Sequence, residues 1–169
     1  VFTTSEINEN LSIVNASLSN DVLLPNHPFE INALIKNTGK QLINDALVQL
    51  IVDNTTVGQQ LISLPPLSNK NIIFKTALAN AGIHPAEIQL NNDDRNADNR
   101  YYFNILLPEQ IKIAFIGVNN DNYYIKQSIN ALNKKSKAFI LSEYNEFNGK
   151  YHEIFQNDII ILNPEIILN

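Results

Sequence analysis

Between Leu11 and Leu107, short runs of alternating apolar and polar residues recur at the roughly 8–12 residue spacing of sandwich strands, each bounded by Gly, Pro, Asn or Asp. Phe29 to Ile35 alternates, with Phe29, Ile31, Ala33 and Ile35 on one face, and stops at Asn37-Thr38-Gly39. Ala46 to Val52 is nearly continuous in apolar residues, as a central strand is. Asp53-Asn54-Thr55-Thr56 is then a tight hairpin signal before Val57 to Ile62. With Leu11 to Ser17, Asn71 to Ala77, Gly82 to Leu90 and Tyr101 to Leu107, the pattern predicts about seven antiparallel strands in an Ig-like sandwich. Ala86, Ile88 and Leu90 fall on one face of the sixth, and Tyr101, Phe103, Ile105 and Leu107 on one face of the seventh.

After Pro108 the period changes. Ile111 to Gly117 reads as a strand, Asp121 as the cap of a helix from Asn122 to Asn133, and Ala138 to Leu141 as a second strand. Ile125, Ile129 and Leu132 share one helical face. Tyr151 to Phe155 is a short helical or loop crossover, and Asp158 to Leu162 a third strand buried on both faces. These elements open a parallel α/β sheet of flavodoxin-like type. The domain reading is therefore an extended or disordered leader over 1–10, a sandwich over 11–107, a linker over 108–110 and an α/β domain over 111–169 that continues beyond the chain.

Composition narrows the function classes. The 169 residues are 44% hydrophobic and 17% charged with a net charge of −5, the profile of a folded protein without a basic footprint for nucleic acid or anionic lipid. The compact basic cluster Lys134, Lys135 and Lys137 suits a solvated helix C-terminus. Zero cysteines remove thiolate chemistry and disulfides, and zero methionines suggest a segment excised from a longer protein. No apolar stretch reaches the ~20 residues of a bilayer span, so any membrane attachment would lie in flanking segments.

Ile35-Lys36-Asn37-Thr38-Gly39, Val48 to Asp53 followed by Asn54 and, later, Gly58, and Gly82-Ile83-His84 together resemble the CARDB family of bacterial cell-adhesion-related Ig-like domains. The shared pattern is an N-x-G turn, a V-x-L-x-V-D hairpin and a G-x-H strand start; Asn54 stands where glycine is usual, which a residue tolerant of positive φ allows. A CARDB-like sandwich, an acidic loop through Asp98-Asn99-Arg100-Tyr101 and an α/β start at Ile111 also resemble the membrane-anchored BatA-type (aerotolerance-related) proteins. That resemblance implies a bacterial cell-envelope setting, on the extracytoplasmic side of the inner membrane, and an amidotransferase-like domain without established activity.

Candidate chemistry is sparse. Asp93, Asp94, Asn96 and Asp98 offer oxygen ligands for calcium, but without EF-hand spacing and with Arg95 and Arg100 among them they read as a solvated hairpin loop. His27, His84 and His152 have no ligand spacing, and Ser128, Ser136 and Ser142 no nucleophile elbow. Gly117 to Asp121 has one glycine and an acid where phosphate would sit. Glu143, Glu146 and Glu153 read as a charged connection, and Tyr101, Tyr102, Tyr123, Tyr124 and Tyr144 mostly as cover for the sandwich and the seam between domains. The expectation is a non-enzymatic structural or protein-interaction module with no catalytic residue, cofactor or metal. Protein partners, including self-association through an open sheet edge, are expected, and nucleic acid is not. The alternative is a ligand-binding or enzymatic α/β domain whose functional residues lie beyond the chain.

Overall fold

The computed structural model describes residues 10–19, 23–90, 99–117, 122–146 and 149–162. The chain divides into two compact units, Val1–Leu107 and Pro108–Asn169. In the first, seven strands follow one another: β1 (Leu11–Leu18), β2 (Phe29–Asn37), β3 (Ile43–Val52), β4 (Thr55–Leu64), β5 (Asn69–Thr76), β6 (Gly82–Leu90) and β7 (Arg100–Leu107). They form two antiparallel sheets, of order β1-β2-β5 and β4-β3-β6-β7. Relative to the constant-type Ig arrangement, the fourth strand has changed sheets and pairs with the third.

Alternation explains the core. Phe29, Ile31, Ala33 and Ile35 of β2 are at most 2% exposed and meet Val48, Leu50 and Val52 of β3, Ile88 and Leu90 of β6 and Ile105 of β7 in one cluster. Tyr101 and Phe103 pack half-buried against it. The expected inward faces of β2, β6 and β7 are those observed. The strands differ in length: β3 begins at Ile43, three residues before the apolar run, because a register shift between Ile43 and Ala46 at Asp45 (φ 52°) interrupts the alternation.

The hairpin joining β3 to β4 places both Asp53 (φ 49°) and Asn54 (φ 62°) at positive φ, as a type I′ turn requires. Gly58, opposite Leu50 in this hairpin, has a different reason: a Cβ there would stand 2.7 Å from Cδ1 of Phe74 on β5. The two sheets approach closely at this point, and only a hydrogen fits. Gly58→Ala is therefore expected to displace a buried core ring and cost about 1–3 kcal/mol; a thermal melt unchanged by the substitution would show that the seam has slack. Gln60 bridges the same seam, donating from Nε2 to the carbonyl of Ile73 at 2.6 Å.

The second unit contains β8 (Ile111–Ile116), α1 (Tyr123–Ser136), β9 (Phe139–Tyr144), α2 (Tyr151–Ile154) and β10 (Ile159–Leu162). Its strands are parallel in the order β10-β8-β9. Ile113 and Phe115 thus lie between Ile140 on one side and Ile160 and Ile161 on the other, the expected adjacency.

Four local expectations are corrected here. β10 is not buried on both faces: Ile159 and Leu162 are exposed and Ile160 and Ile161 half-buried, because among the described residues it pairs only with β8 and is an edge strand. Of the helical face, Ile129 is buried while Ile125 and Leu132 are 42% and 55% exposed, so the covered stripe of α1 is narrower than its spacing suggested. Asp121 lies outside the described residues, and the N-cap of α1 is Asn122, without a side-chain capping bond. β9 runs on to Tyr144 because Phe115 and Ile116 continue the parallel ladder to Glu143 and Tyr144, which puts Glu143 on a strand instead of a loop. Lys137 ends α1 in the left-handed conformation, its N–H donating to the Asn133 carbonyl, so the basic cluster does lie at a helix C-terminus.

Candidate functional site

The polar features of the first unit lie at the turns that close it. Asn37 continues the inward series of β2 and is fully buried, which obliges it to find partners. Its Oδ1 accepts from the Gly39 N–H at 2.9 Å, an Asx turn, and its Nδ2 donates to the carbonyls of Gln41, Leu64 and Pro65 at 2.8, 3.1 and 3.0 Å. One side chain therefore ties the β2–β3 turn to the end of β4. Asn10 adds a link from before β1, donating from Nδ2 to the Thr38 hydroxyl at 2.7 Å.

A second knot joins Asp53 to His84. The Asp53 N–H donates to the Pro85 carbonyl, and His84, 9% exposed at the start of β6, has Nδ1 at 2.6 Å from the Asp53 carboxylate and Nε2 at 2.9 Å from the Asn80 carbonyl. Both ring nitrogens face acceptors, so both must donate, which only the imidazolium can do. The Asp53 hydrogen bond is the main cause that raises the His84 pKa above its ordinary 6.5, against the opposing effect of burial and with smaller help from the Asn80 carbonyl and the Asp53 charge. In the position of the tyrosine corner of Ig domains, near the start of the sixth strand and bonded to backbone upstream, this chain has a histidine and an acid.

The consequence for stability has a definite sign. A histidine whose pKa is raised by folding stabilises fully below its unfolded pKa, and that stabilisation is lost as pH rises through the folded value. Denaturant midpoints should therefore fall as pH is raised from below 6.5 through the raised His84 pKa. Because the Asp53 side chain is half exposed, the effect is about 1 kcal/mol. Asp53→Asn, which tolerates the same positive φ, should flatten this slope; an equal slope in the variant would assign it to other groups.

The outer face of the four-stranded sheet carries a third feature, a groove of about 300 Å³ lined by Ile51, Asn54, Pro85, Glu87, Arg100 and Tyr102. Arg100 reaches the Tyr102 hydroxyl at 3.4 Å and stands 3.8 Å from Glu87.

The other sequence candidates are dispersed. Asp93, Asp94, Asn96 and Asp98 lie outside the described residues, as do positions 118–121 of the first βα turn; Gly117 takes a φ of 118°. Among the described residues no three or more His, Cys, Asp or Glu side chains converge. His27 is exposed, with Nδ1 on the Pro25 carbonyl, and His152, on the short helix α2, accepts from Gln156 just beyond it. The Ser128 hydroxyl donates to the Tyr124 carbonyl. Glu143 and Glu146 share a shallow groove of about 210 Å³ with Lys150, while Glu153 sits apart on α2. Glu143 is paired with Lys126 at 2.6 Å, whose ammonium also lies 5.7 Å from the Phe115 ring centre. Among the tyrosines of the sandwich, Tyr101 packs on the core and reaches Asn15 through its hydroxyl, whereas Tyr102 is 67% exposed and covers none of it; Tyr123 and Tyr124 are exposed on α1 of the second unit.

No protein-family model matches this sequence, and no curated protein does. Solved structures do. The crystal structure of the CARDB domain of a Pyrococcus furiosus protein, in complex with di-metal ions, is similar with a TM-score of 0.56 and 18% identity, over 64% of this chain and 100% of that one. The first unit is a CARDB-like sandwich. The solution structure of the same archaeal domain is similar with a TM-score of 0.54 and 17% identity, over 60% of this chain and 96% of that one. A domain from Methanosarcina acetivorans, described as part of a cell surface protein, is 23% identical over 59% of this chain and 93% of its own length, with a TM-score of 0.49. In the CARDB-like sandwich of this chain the three motif fragments become physical contacts: the N-x-G turn is the Asn37 knot, and the hairpin aspartate and the G-x-H histidine are the Asp53–His84 pair. That pairing was missed in the sequence because its members are 31 positions apart; the signal for it was a titratable residue in each of two motif fragments. No helix of the described chain is long and apolar enough to cross a membrane.

Proposed function

We propose that this chain is a non-catalytic structural or protein-interaction module of a bacterial cell-envelope protein, held on the extracytoplasmic side of the inner membrane by flanking segments. The observation that carries this reading is the CARDB-like fold of the first unit, combined with turns whose buried polar groups are committed to closing the sandwich instead of being presented to a substrate. The second unit supports a BatA-type arrangement. Its order, with the first strand between the second and third, is the one with which flavodoxin-like sheets begin.

The surface proposed for protein partners, a second copy included, is the outer edge of β7. β5 carries Lys70 and Lys75, and both β1 and β4 have register shifts, all devices that discourage strand addition. β7, Arg100–Leu107, has no lysine, proline or register shift and pairs only with β6 among the described residues. An extended partner segment can add to such an edge. A photo-crosslinking residue at the exposed Asn104 should form adducts in native envelopes, and one at Lys75 should not. Equal yields at both positions, or adducts at Lys75 alone, would contradict the β7 assignment.

A further inference from the structure

Two registered rows cross the outer face of the four-stranded sheet: Ile51, Glu87 and Tyr102 in one, and Gln49, Gln89 and Arg100 in the next. The groove along the first row holds the carboxylate of Glu87. The Glu87 side chain is only 16% exposed, yet no hydrogen bond reaches it among the described residues, and its nearest cation, Arg100, is 3.8 Å away, beyond hydrogen-bonding distance. Its oxygens therefore keep acceptor capacity for a ligand. Arg100, half exposed, donates among the described residues to the Tyr102 hydroxyl at 3.4 Å, and the Tyr102 ring is two-thirds exposed beside both.

We propose that this groove binds a neutral saccharide. An anion would be attracted by Arg100 and repelled by Glu87, and a cation the reverse, so the pair favours an uncharged ligand that both donates and accepts. Sugar hydroxyls do so: they donate to the Glu87 carboxylate and accept from the Arg100 guanidinium and the Asn54 amide. The partly positive C–H face of a sugar ring suits the negative face of Tyr102, and Ile51 and Pro85 supply an apolar floor. A volume of about 300 Å³ lies at the small end of ligand sites and fits a mono- or disaccharide. The inference does not depend on the β7 edge binding a protein, and the two tests can fail separately.

Backbone amide shifts of the whole chain, titrated with glucose, galactose, mannose and N-acetylglucosamine and, for comparison, with inorganic phosphate and free arginine, test it. At least one sugar should shift the amides of Ile51, Glu87 and Tyr102 and saturate with a Kd of ~1 mM, as expected of a small open site. Tyr102→Ala and Glu87→Gln should each weaken binding about tenfold or more, with the remaining spectrum unchanged as a control of folding, and Tyr102→Phe should retain it. Absence of saturable shifts with every sugar, sugar binding that survives either of the first two substitutions, or tighter binding of phosphate or arginine than of any sugar would overturn the proposal.

Discussion

Replacing Ile31 by Ala is expected to lower the unfolding free energy of the sandwich by about 2–5 kcal/mol, and Phe29→Ala by about 3–5 kcal/mol. Ile31 is fully buried between Leu18 of β1 and Phe74 of β5 and packs into the shared core of both sheets. Truncation removes transfer energy and leaves a cavity that neighbours fixed in ladders on both sides cannot fill. Lys36→Ala, on the outer face of the same strand, should change stability by less than about 0.5 kcal/mol. Urea unfolding followed by circular dichroism separates the two; midpoints equal for Ile31→Ala and Lys36→Ala would mean that β2 faces the other way.

A comparable loss, about 2–4 kcal/mol, is expected for Asn37→Ala. The substitution strands the carbonyls of Leu64 and Pro65 and the N–H of Gly39, all of which now meet one side chain. Asn37→Asp keeps the acceptor for Gly39 but turns two donors into a buried negative charge aimed at three carbonyls, and should cost more than Ala. If the aspartate variant melted above the alanine variant, the carbonyl contacts would not be what makes Asn37 important.

Much of this was readable from the sequence because period-two alternation is a direct image of a half-buried strand. The β2 face from Phe29 to Ile35 and the switch at Pro108 are the clearest cases. What escaped has identifiable causes. Asp45 breaks the alternation at a register shift and so hid the start of β3. Ser142, Glu143 and Tyr144 look like a loop because their strand character comes from backbone pairing with β8 and not from side-chain pattern. The sheet to which β4 belongs is decided by the hairpin at Asp53-Asn54, whose positive φ angles keep it beside β3. The groove was invisible for a similar reason: Ile51, Glu87 and Tyr102 become neighbours only through the registers of three strands.

Placement in the cell envelope is tested most directly by the fate of the native protein in its own cells. An antibody raised against the sandwich, used on fractionated cells and on spheroplasts treated with protease, should find the protein with the inner membrane, protected in intact cells and digested once the outer layers are opened. Recovery in the soluble cytosolic fraction, resistant to protease in spheroplasts, would contradict the account.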